Sequence, residues 1–548
     1  MPPELLPVPF SGARSGSGPL TFGQRNTLNW VDTDPASAVL HWVFTLPAAV
    51  TLADVTAALA VLLARHEALR TRFPSDTQEV LGSGTLLVEV HRDGADADSL
   101  VATLRSRGVD FRTGLPLRVA VAVDGDTVAA VVAVYSHMAV DFGSMALIGR
   151  QFTELVGSPA AHVVGEPGHQ PLDQAAVERS PRGSRAAEAA LRYWESLLRT
   201  APQAVYPVPP PARPGTGLRI CVLESPAAGV ALGTVSARTK SSPQVVLLAA
   251  VCAVLGWRTG TSRCVFASVS GNRFRLRLRE YVGSLAQDGL LALDVDASSF
   301  DELVARAARA TLAANTHSMF DAPRLWRIID EVGHDRGTAF TRDFSLNDLS
   351  SHLPFPEPSV DAAGDATGPT VVRWTESADF PVVMMCNPAK LAPELMLALT
   401  VDLRHVGEAE TELLLRGVER LLVAAAAENV PLARLGEVTG VPPVVRDADW
   451  VCVDSNWVRL SAVRRLVTDA VGPSRVVATR TGLVAYLSGT SPVEAHAACM
   501  TRLPGRHLAM APTHYVVCAG VPDDVDSMRQ WRALPVVAEG DGRIKHSA

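Results

Sequence analysis

Cysteine pairs are missing from this sequence. Its seven cysteines (Cys221, Cys252, Cys264, Cys386, Cys452, Cys499, Cys518) are scattered, odd in number and never spaced as C-x-x-C. That argues against a disulfide framework or a structural zinc site and predicts buried thiols in a reducing cytosol. Long apolar runs are missing too: the longest, Val245 to Leu255, falls well short of the ~18 residues that span a bilayer. Met1 to Pro19 is rich in Pro, Gly and Ser and has no continuous apolar segment, so neither a signal peptide nor a membrane partner is expected and the expected location is cytoplasmic. There is no surplus of basic charge, because 50 Lys and Arg face 57 Asp and Glu for a formal net charge of -7. Nucleic acid is therefore not an expected partner. No internal repeat and no low-complexity tract interrupts the chain. What remains is an ordinary globular composition, 548 residues with 47% hydrophobic and 20% charged side chains, enough for three or four compact units at roughly 150 residues each.

Local patterns give the organisation. Thr51-Leu-Ala-Asp54 reads as a capping box before apolar residues at helical spacing (Val55, Leu59, Leu62, Leu63, Leu69), a helix running into Arg65-His-Glu-Ala-Leu-Arg-Thr-Arg-Phe73. Strands are predicted near Thr85 to Val90 and Leu117 to Val123, and the almost wholly apolar Thr127 to Tyr135 predicts a strand buried on both faces. A helix follows from near Ser144. Gly157 to Ser184 reads as loop and Arg192 to Leu198 as a short helix. The proline-rich Pro202 to Gly215 reads as a stiff extended connector crossing between two lobes. Beyond it lie a helix opened by Ser242-Pro243, a strand Cys264 to Val269, a helix Phe300 to Ala314, strands near Thr370 to Trp374 and Leu395 to Leu403, and a helix Glu408 to Glu428. The pattern from Pro443 onward is separate.

The stretch Tyr135-Ser-His-Met-Ala-Val-Asp-Phe-Gly-Ser144 is the richest in chemistry. A histidine leaving a buried strand is held by the sheet on one side and can face a crevice on the other, as a base requires. Asp141, four residues on, can fold back under the imidazole. Equally, His137 can merely end a strand while Asp141 caps the helix near Ser144. Arg273, Arg275, Arg277 and Arg279 alternate with Phe274, Leu276 and Leu278. An extended segment would put four guanidinium groups on one face, suited to an acidic partner surface or a phosphate; a solvated basic face is the alternative. His514 and Cys518, like His496 and Cys499, have ligand-like spacing, yet neither has a second pair, so packing is expected and no metal.

The chain resembles the condensation domains of nonribosomal peptide synthetases, members of the chloramphenicol-acetyltransferase-like superfamily. Their H-H-x-x-x-D-G-W-S signature aligns with Ser136-His137-Met-Ala-Val-Asp141-Phe142-Gly143-Ser144 at the second His, the Asp and the last Ser. Further landmarks follow in the family's order: Pro19-Leu-Thr-Phe-Gly-Gln24, Arg65 to Phe73, Tyr193-Trp194 with Leu197-Leu198, and Ser270-Gly-Asn-Arg273 through Val282-Gly283 and Leu290-Leu291. The resemblance implies an α/β fold of two acetyltransferase-like lobes in a V-shaped pseudo-dimer, spanning 1–180 and 181–435; the separate pattern behind them is expected to form a small α+β domain over 440–548. It also implies His137 as the catalytic residue in a tunnel entered by carrier-tethered thioesters. Asp141 is implied to be structural and paired with Arg273 across the lobes, while Ser144 can serve the site or simply cap a helix. No permanent cofactor is expected; the phosphopantetheine arm of a partner carrier protein would present the substrate.

Departures from the signature matter. Ser136 replaces a histidine, Phe142 replaces a glycine where a positive φ would be penalised, and Gly143 stands in the tryptophan position, as though flexibility had moved by one residue. Ser284 and Gln287 stand where an aromatic and an asparagine are usual. The tail, with Trp457 to Val463, Leu483 to Leu487, Leu503-Pro504 and Arg532 to Leu534, resembles the small C-terminal subdomain of adenylation domains, but Met528 stands near the catalytic lysine position. No L-G-G-x-S carrier segment occurs. The expected activity is that of a free-standing condensation enzyme joining a carrier-bound acyl or aminoacyl thioester to an amine or hydroxyl. The alternatives are an inactive scaffold that recruits a carrier or partner enzyme, and an acyltransferase using soluble acyl-CoA.

Overall fold

The computed structural model describes residues 3–32, 38–47, 49–92, 94–157, 168–350, 368–377 and 382–543. Two mixed sheets carry the two lobes. The first has five strands in the order Glu4–Ser11, Ser83–His91, Leu117–Asp124, Thr127–Ser136 and Val39–Val43. Thr127–Ser136 lies next to the edge, antiparallel to both neighbours, with Tyr135 opposite Leu117 and Ser136 opposite Val39. Val131, Val132, Ala133 and Val134 are wholly buried, because the helices Leu52–Arg65 and Phe142–Gly157 cover one face and Ala97–Arg107 the other. A strand covered on both sides needs no polar alternation, which explains its continuous apolar run. The Thr51 capping box forms, with Thr51 and Asp54 exchanging side chain-to-backbone bonds of 3.2 and 3.0 Å.

The second sheet has seven strands in the order Gln287–Asp294, Arg263–Ser270, Phe344–Leu346, Met384–Lys390, Leu395–Asp402, Leu218–Ser225 and Val371–Glu376. Helices Pro226–Thr239, Pro243–Thr259, Phe300–Thr316 and Glu408–Ala427 share its main core. Among the described residues no single helix is long and apolar enough to cross a membrane. Beyond these, Trp450–Val453 pairs with Asn456–Arg459, and a four-stranded sheet (Arg475–Thr479, Gly482–Ser488, His514–Cys518, Val536–Gly540) packs with helices Leu460–Val471 and Pro492–Arg502 around a core of its own.

The structure corrects several readings. Within the stretch expected to be loop, Pro171–Arg179 is helical and Pro181–Leu198 forms an amphipathic 18-residue helix, of which Arg192 to Leu198 is only the end. Each starts with proline just inside a capping residue, Gln170 or Ser180, a position where the missing N–H costs nothing. Ala190, Leu191 and Trp194 of the longer helix pack with Val265, Leu290 and Phe320 of the second half. The chain has therefore crossed before it reaches Pro202, and the proline-rich connector is not the crossing. Instead, Gln203 of the connector is buried against the tail: its N–H donates to Asn456 Oδ1 at 2.6 Å and its Nε2 to the Ala509 carbonyl at 2.7 Å. The first-lobe helix stops at Arg65 and gives way to a 3-10 turn, Glu67–Arg70. Six of the cysteines are buried, but Cys452 is exposed.

The halves meet tightly at the Phe22–Val31 helix, which carries the Thr21–Gln24 capping box. A Cβ on Gly23 would fall inside contact distance of the Ser284 carbonyl oxygen and 3.0 Å from Leu285 Cα, both backbone atoms of the second half. Gly23→Ala is expected to cost about 1–3 kcal/mol by overpacking, seen as a lowered thermal unfolding midpoint, whereas the same change at open Gly233 should leave the midpoint level or raise it.

Candidate active site

The signature stretch is laid down by the end of the Thr127–Ser136 strand. Ser136 N–H donates to the Pro116 carbonyl (2.9 Å) and His137 N–H to the Ala38 carbonyl (2.8 Å), so both neighbouring strands grip the exit. The backbone then turns sharply, with Ala139 and Val140 N–H donating back to the Ser136 carbonyl at 3.0 and 3.3 Å. Ser136 Oγ accepts from Met138 N–H at 3.2 Å, so this short hydroxyl braces the turn where the signature has an imidazole. Met138, Ala139 and Val140 are fully buried, while His137 between strand and turn is partly exposed.

The indole of Trp30 stands edge-on to the His137 ring, centroids 5.6 Å apart. Nδ1 is enclosed and has no hydrogen-bond partner outside its own residue, which leaves Nε2 as the nitrogen able to meet a substrate. Burial pushes the His137 pKa below its ordinary value, with its own main-chain carbonyl and the Asp141 charge pulling weakly the other way. At neutral pH the ring is uncharged and able to accept a proton.

Asp141 faces away from this chemistry. It is 1% exposed, and Arg273 grips both its oxygens, Nη2 to Oδ1 at 2.6 Å and Nη1 to Oδ2 at 2.9 Å. Oδ1 also accepts from Ser144 N–H (2.9 Å), and Oδ2 from the N–H groups of Leu285 (2.9 Å) and Ala286 (3.1 Å). Burial alone would raise its pKa; the Arg273 charge and these donors outweigh it and hold the carboxyl at about 2. The carboxylate caps a helix whose first residue is Phe142, so the helix starts two residues earlier than expected and Ser144 lies inside it instead of capping it. Ser144 Oγ is 2.9 Å from Asp141 Oδ1 and 2.8 Å from the Gly283 carbonyl, with one proton to give; it accepts from Gly283 N–H at 3.0 Å and from Arg273 Nη2 at 2.8 Å. The cluster ties the first half to the second.

The signature departures have simple local accounts. Phe142 is helical without a positive φ, and its ring packs edge-on to Trp42 at 5.9 Å, so the feared strain is absent. Gly143 is helical too, and proximity is the reason for glycine there: a Cβ would lie 3.0 Å from Arg273 Nη1. Gln287 is buried and donates to the Phe320 carbonyl at 3.0 Å. Ser284 Oγ lies 3.5 Å from Thr27 Oγ1.

Sequence reasoning passed over Asn272. It sits at φ +54°, a left-handed conformation that asparagine tolerates better than most residues, and so turns the chain just before Arg273. Its Nδ2 donates to the Leu285 and Ser318 carbonyls at 2.9 and 3.2 Å, and its Oδ1 accepts from Ser318 Oγ at 2.6 Å. The available signal was an asparagine within Gly-Asn-Arg at a strand end.

The four-arginine face does not form. Leu276–Leu278 is a 3-10 turn, not a strand; Arg273 turns inward to Asp141, and only Arg275, Arg277 and Arg279 remain exposed. They share the turn with Phe274 and Leu276, 61% and 79% exposed. His514 and Cys518 lie on a strand, and His496 is buried, bonded to Tyr515 Oη at 3.1 Å and the His334 carbonyl at 2.8 Å. Among the described residues no group of His, Cys, Asp and Glu could hold a metal ion.

The family-wide sequence profile of the condensation domain matches residues 15–388. The chain belongs to the condensation-domain family. It is 27% identical over 353 residues to phosphinothricin tripeptide synthetase PhsC of Streptomyces viridochromogenes, covering 60% of this chain and 32% of that one. It is 25% identical over 363 residues to the hybrid PKS-NRPS synthetase ucsA of Acremonium sp, covering 62% and 9% respectively. The chain thus spans a third or less of the length of these curated relatives. Among solved structures, the condensation domain from Monacolin K polyketide synthase MokA superposes with a TM-score of 0.60 at 18% identity, over 76% of this chain and 99% of that one. In this condensation domain, Asp141 and Ser144 of the signature form one bonded cluster with Arg273, Gly283, Leu285 and Ala286 of the second half, close in sequence to a partly exposed imidazole.

Proposed function

We propose that this condensation domain transfers an acyl or aminoacyl group from a carrier-bound thioester to an amine or hydroxyl, with His137 as its catalytic residue. One observation carries this reading: an uncharged imidazole with Nδ1 enclosed and Nε2 free, held by strand and turn on a rigid exit. The thioester is already activated, so the protein has to position two reactants and take one proton. As the nucleophile attacks the carbonyl carbon, Nε2 accepts its proton; the C–S bond breaks and the pantetheine thiolate leaves, regaining a proton. Asp141 and Arg273 are positioning residues in this reading, with Ser136, Phe142, Gly143 and Ser144 shaping the same turn.

The donor would arrive on the phosphopantetheine arm of an acyl or peptidyl carrier protein. Arg275, Arg277 and Arg279, beside exposed Phe274 and Leu276, offer an acidic carrier both charge and apolar contact. The small domain after residue 440 is proposed as a non-adenylating appendage: Met528 packs near Val484, Tyr486 and Trp531 and has no charge to offer a carboxylate or phosphate.

Intact mass spectrometry of acyl-loaded carriers incubated with this protein and an amine or alcohol tests the reading. The acyl mass is expected to leave the carrier and appear in the product. Equal turnover with free acyl-CoA would remove the carrier from the mechanism. Carrier binding without loss of the acyl mass to any nucleophile would instead favour a recruiting scaffold, a role the braced Ser136 turn gives no reason to prefer.

A further inference from the structure

One cavity shares no residue with the His137 site. It measures about 480 Å³ and lies where the small C-terminal domain docks on the second lobe, a volume within the range of small-molecule pockets. Its walls come from five separate stretches: the connector (Tyr206, Val208, Pro210, Pro214), Val383, the turn after Leu395–Asp402 (Arg404 to Val406), Arg459 with the Leu460–Val471 helix that follows it, and the segment Gly505 to Ala509. It exists only because the appendage is seated there.

The charge of this lining is one-sided. Arg404, Arg459, Arg465, Arg506, His405 and His507 face it, and no carboxylate is among the lining residues. Three acids pair with three of the arginines: Asp402 with Arg404 at 2.5 Å, Asp449 with Arg459 at 3.0 Å and Asp469 with Arg506 at 2.8 Å. Arg465 has no ion-pair or hydrogen-bond partner among the described residues. The His405 and His507 rings meet edge to face, centroids 4.6 Å apart; burial depresses the pKa of each, so at neutral pH they are uncharged donors or acceptors. Tyr206, Val208, Val383, Val406 and Leu508 supply apolar wall.

Guanidinium groups and apolar side chains lining one cavity select an anion attached to an organic body. A phosphate presents three acceptor oxygens and close to two negative charges, which suits several forks better than a single carboxylate does. We infer that the cavity between the second lobe and the C-terminal domain binds a small organic phosphate, with Arg465 as its principal anchor. The ligand would bridge the two units, giving the non-adenylating appendage a binding function independent of acyl transfer.

The test is calorimetric titration of the full chain with adenosine monophosphate, 4′-phosphopantetheine, their dephosphorylated counterparts and inorganic phosphate. One or both organic phosphates should bind saturably, and which one binds separates a nucleotide from a pantetheine source; the dephosphorylated compounds should bind at least about tenfold more weakly. Arg465→Glu, at an exposed position, should weaken binding at least about tenfold, and Ala462→Phe, which fills the cavity from the helix side, should abolish it. Each variant's unliganded melting curve reports whether it is folded. The inference is overturned if neither organic phosphate binds, if inorganic phosphate binds as tightly as they do, or if folded variants of both kinds retain the parent affinity.

Discussion

His137→Ala is expected to lower the rate of acyl transfer from a loaded carrier about 10²–10⁴-fold, with carrier affinity and melting midpoint close to those of the parent. The backbone of His137 is fixed by the Ala38 carbonyl and by the turn around Ser136, not by its ring. Removing the imidazole therefore subtracts the proton acceptor and the edge contact with Trp30 without undoing the exit. The pH profile gives a second readout. Because burial lowers the ring's pKa, the ring stays uncharged to a lower pH than a free imidazole. The acid limb of kcat/KM should accordingly fall below the ordinary histidine value of 6.5. A limb at or above that value, or unchanged turnover in the alanine variant, would remove His137 from the chemistry.

Asp141→Ala should cost about 3–5 kcal/mol, because it strands Arg273, whose side chain is 15% exposed, among carbonyls with no counter-charge. Leu285 and Ala286 N–H lose their acceptor as well. Adding Arg273→Met should restore part of the loss, since an apolar replacement removes the stranded charge. Denaturant titration of the two single variants and the double variant measures this, and single-variant costs below about 1 kcal/mol would show that the pair does not hold the halves together. The pH dependence has a definite sign. The folded carboxyl sits at about 2, below its ordinary 3.8, so its contribution is complete above the ordinary value and is lost as pH falls through about 2. The stability gap between the parent and Asp141→Asn should narrow on acidification toward that point.

The parts of this molecule legible in sequence are those specified by neighbours in the chain. The buried Thr127–Ser136 strand, the Thr51 capping box and the Ser242-Pro243 helix start are all written within a few residues. The partnership of Asp141 and Arg273 crosses 132 positions, and it was legible only through resemblance to a family. Helices 171–179 and 181–198 were obscured because Pro, Gly and Ser, usual signs of loop, here occupy first-turn positions. The alternating arginines misled for the opposite reason. Their period of two is a strand pattern, but Arg273 is turned inward by the carboxylate beneath it, and the next residues coil into a 3-10 turn.

Val282 belongs by sequence to the second half, yet its side chain is buried in the hydrophobic core of the first. Beside it, Gly283, Leu285 and Ala286 are bonded to Ser144 and Asp141. This peg latches the two halves: separating them here would draw an apolar side chain into water and break the bonds around it.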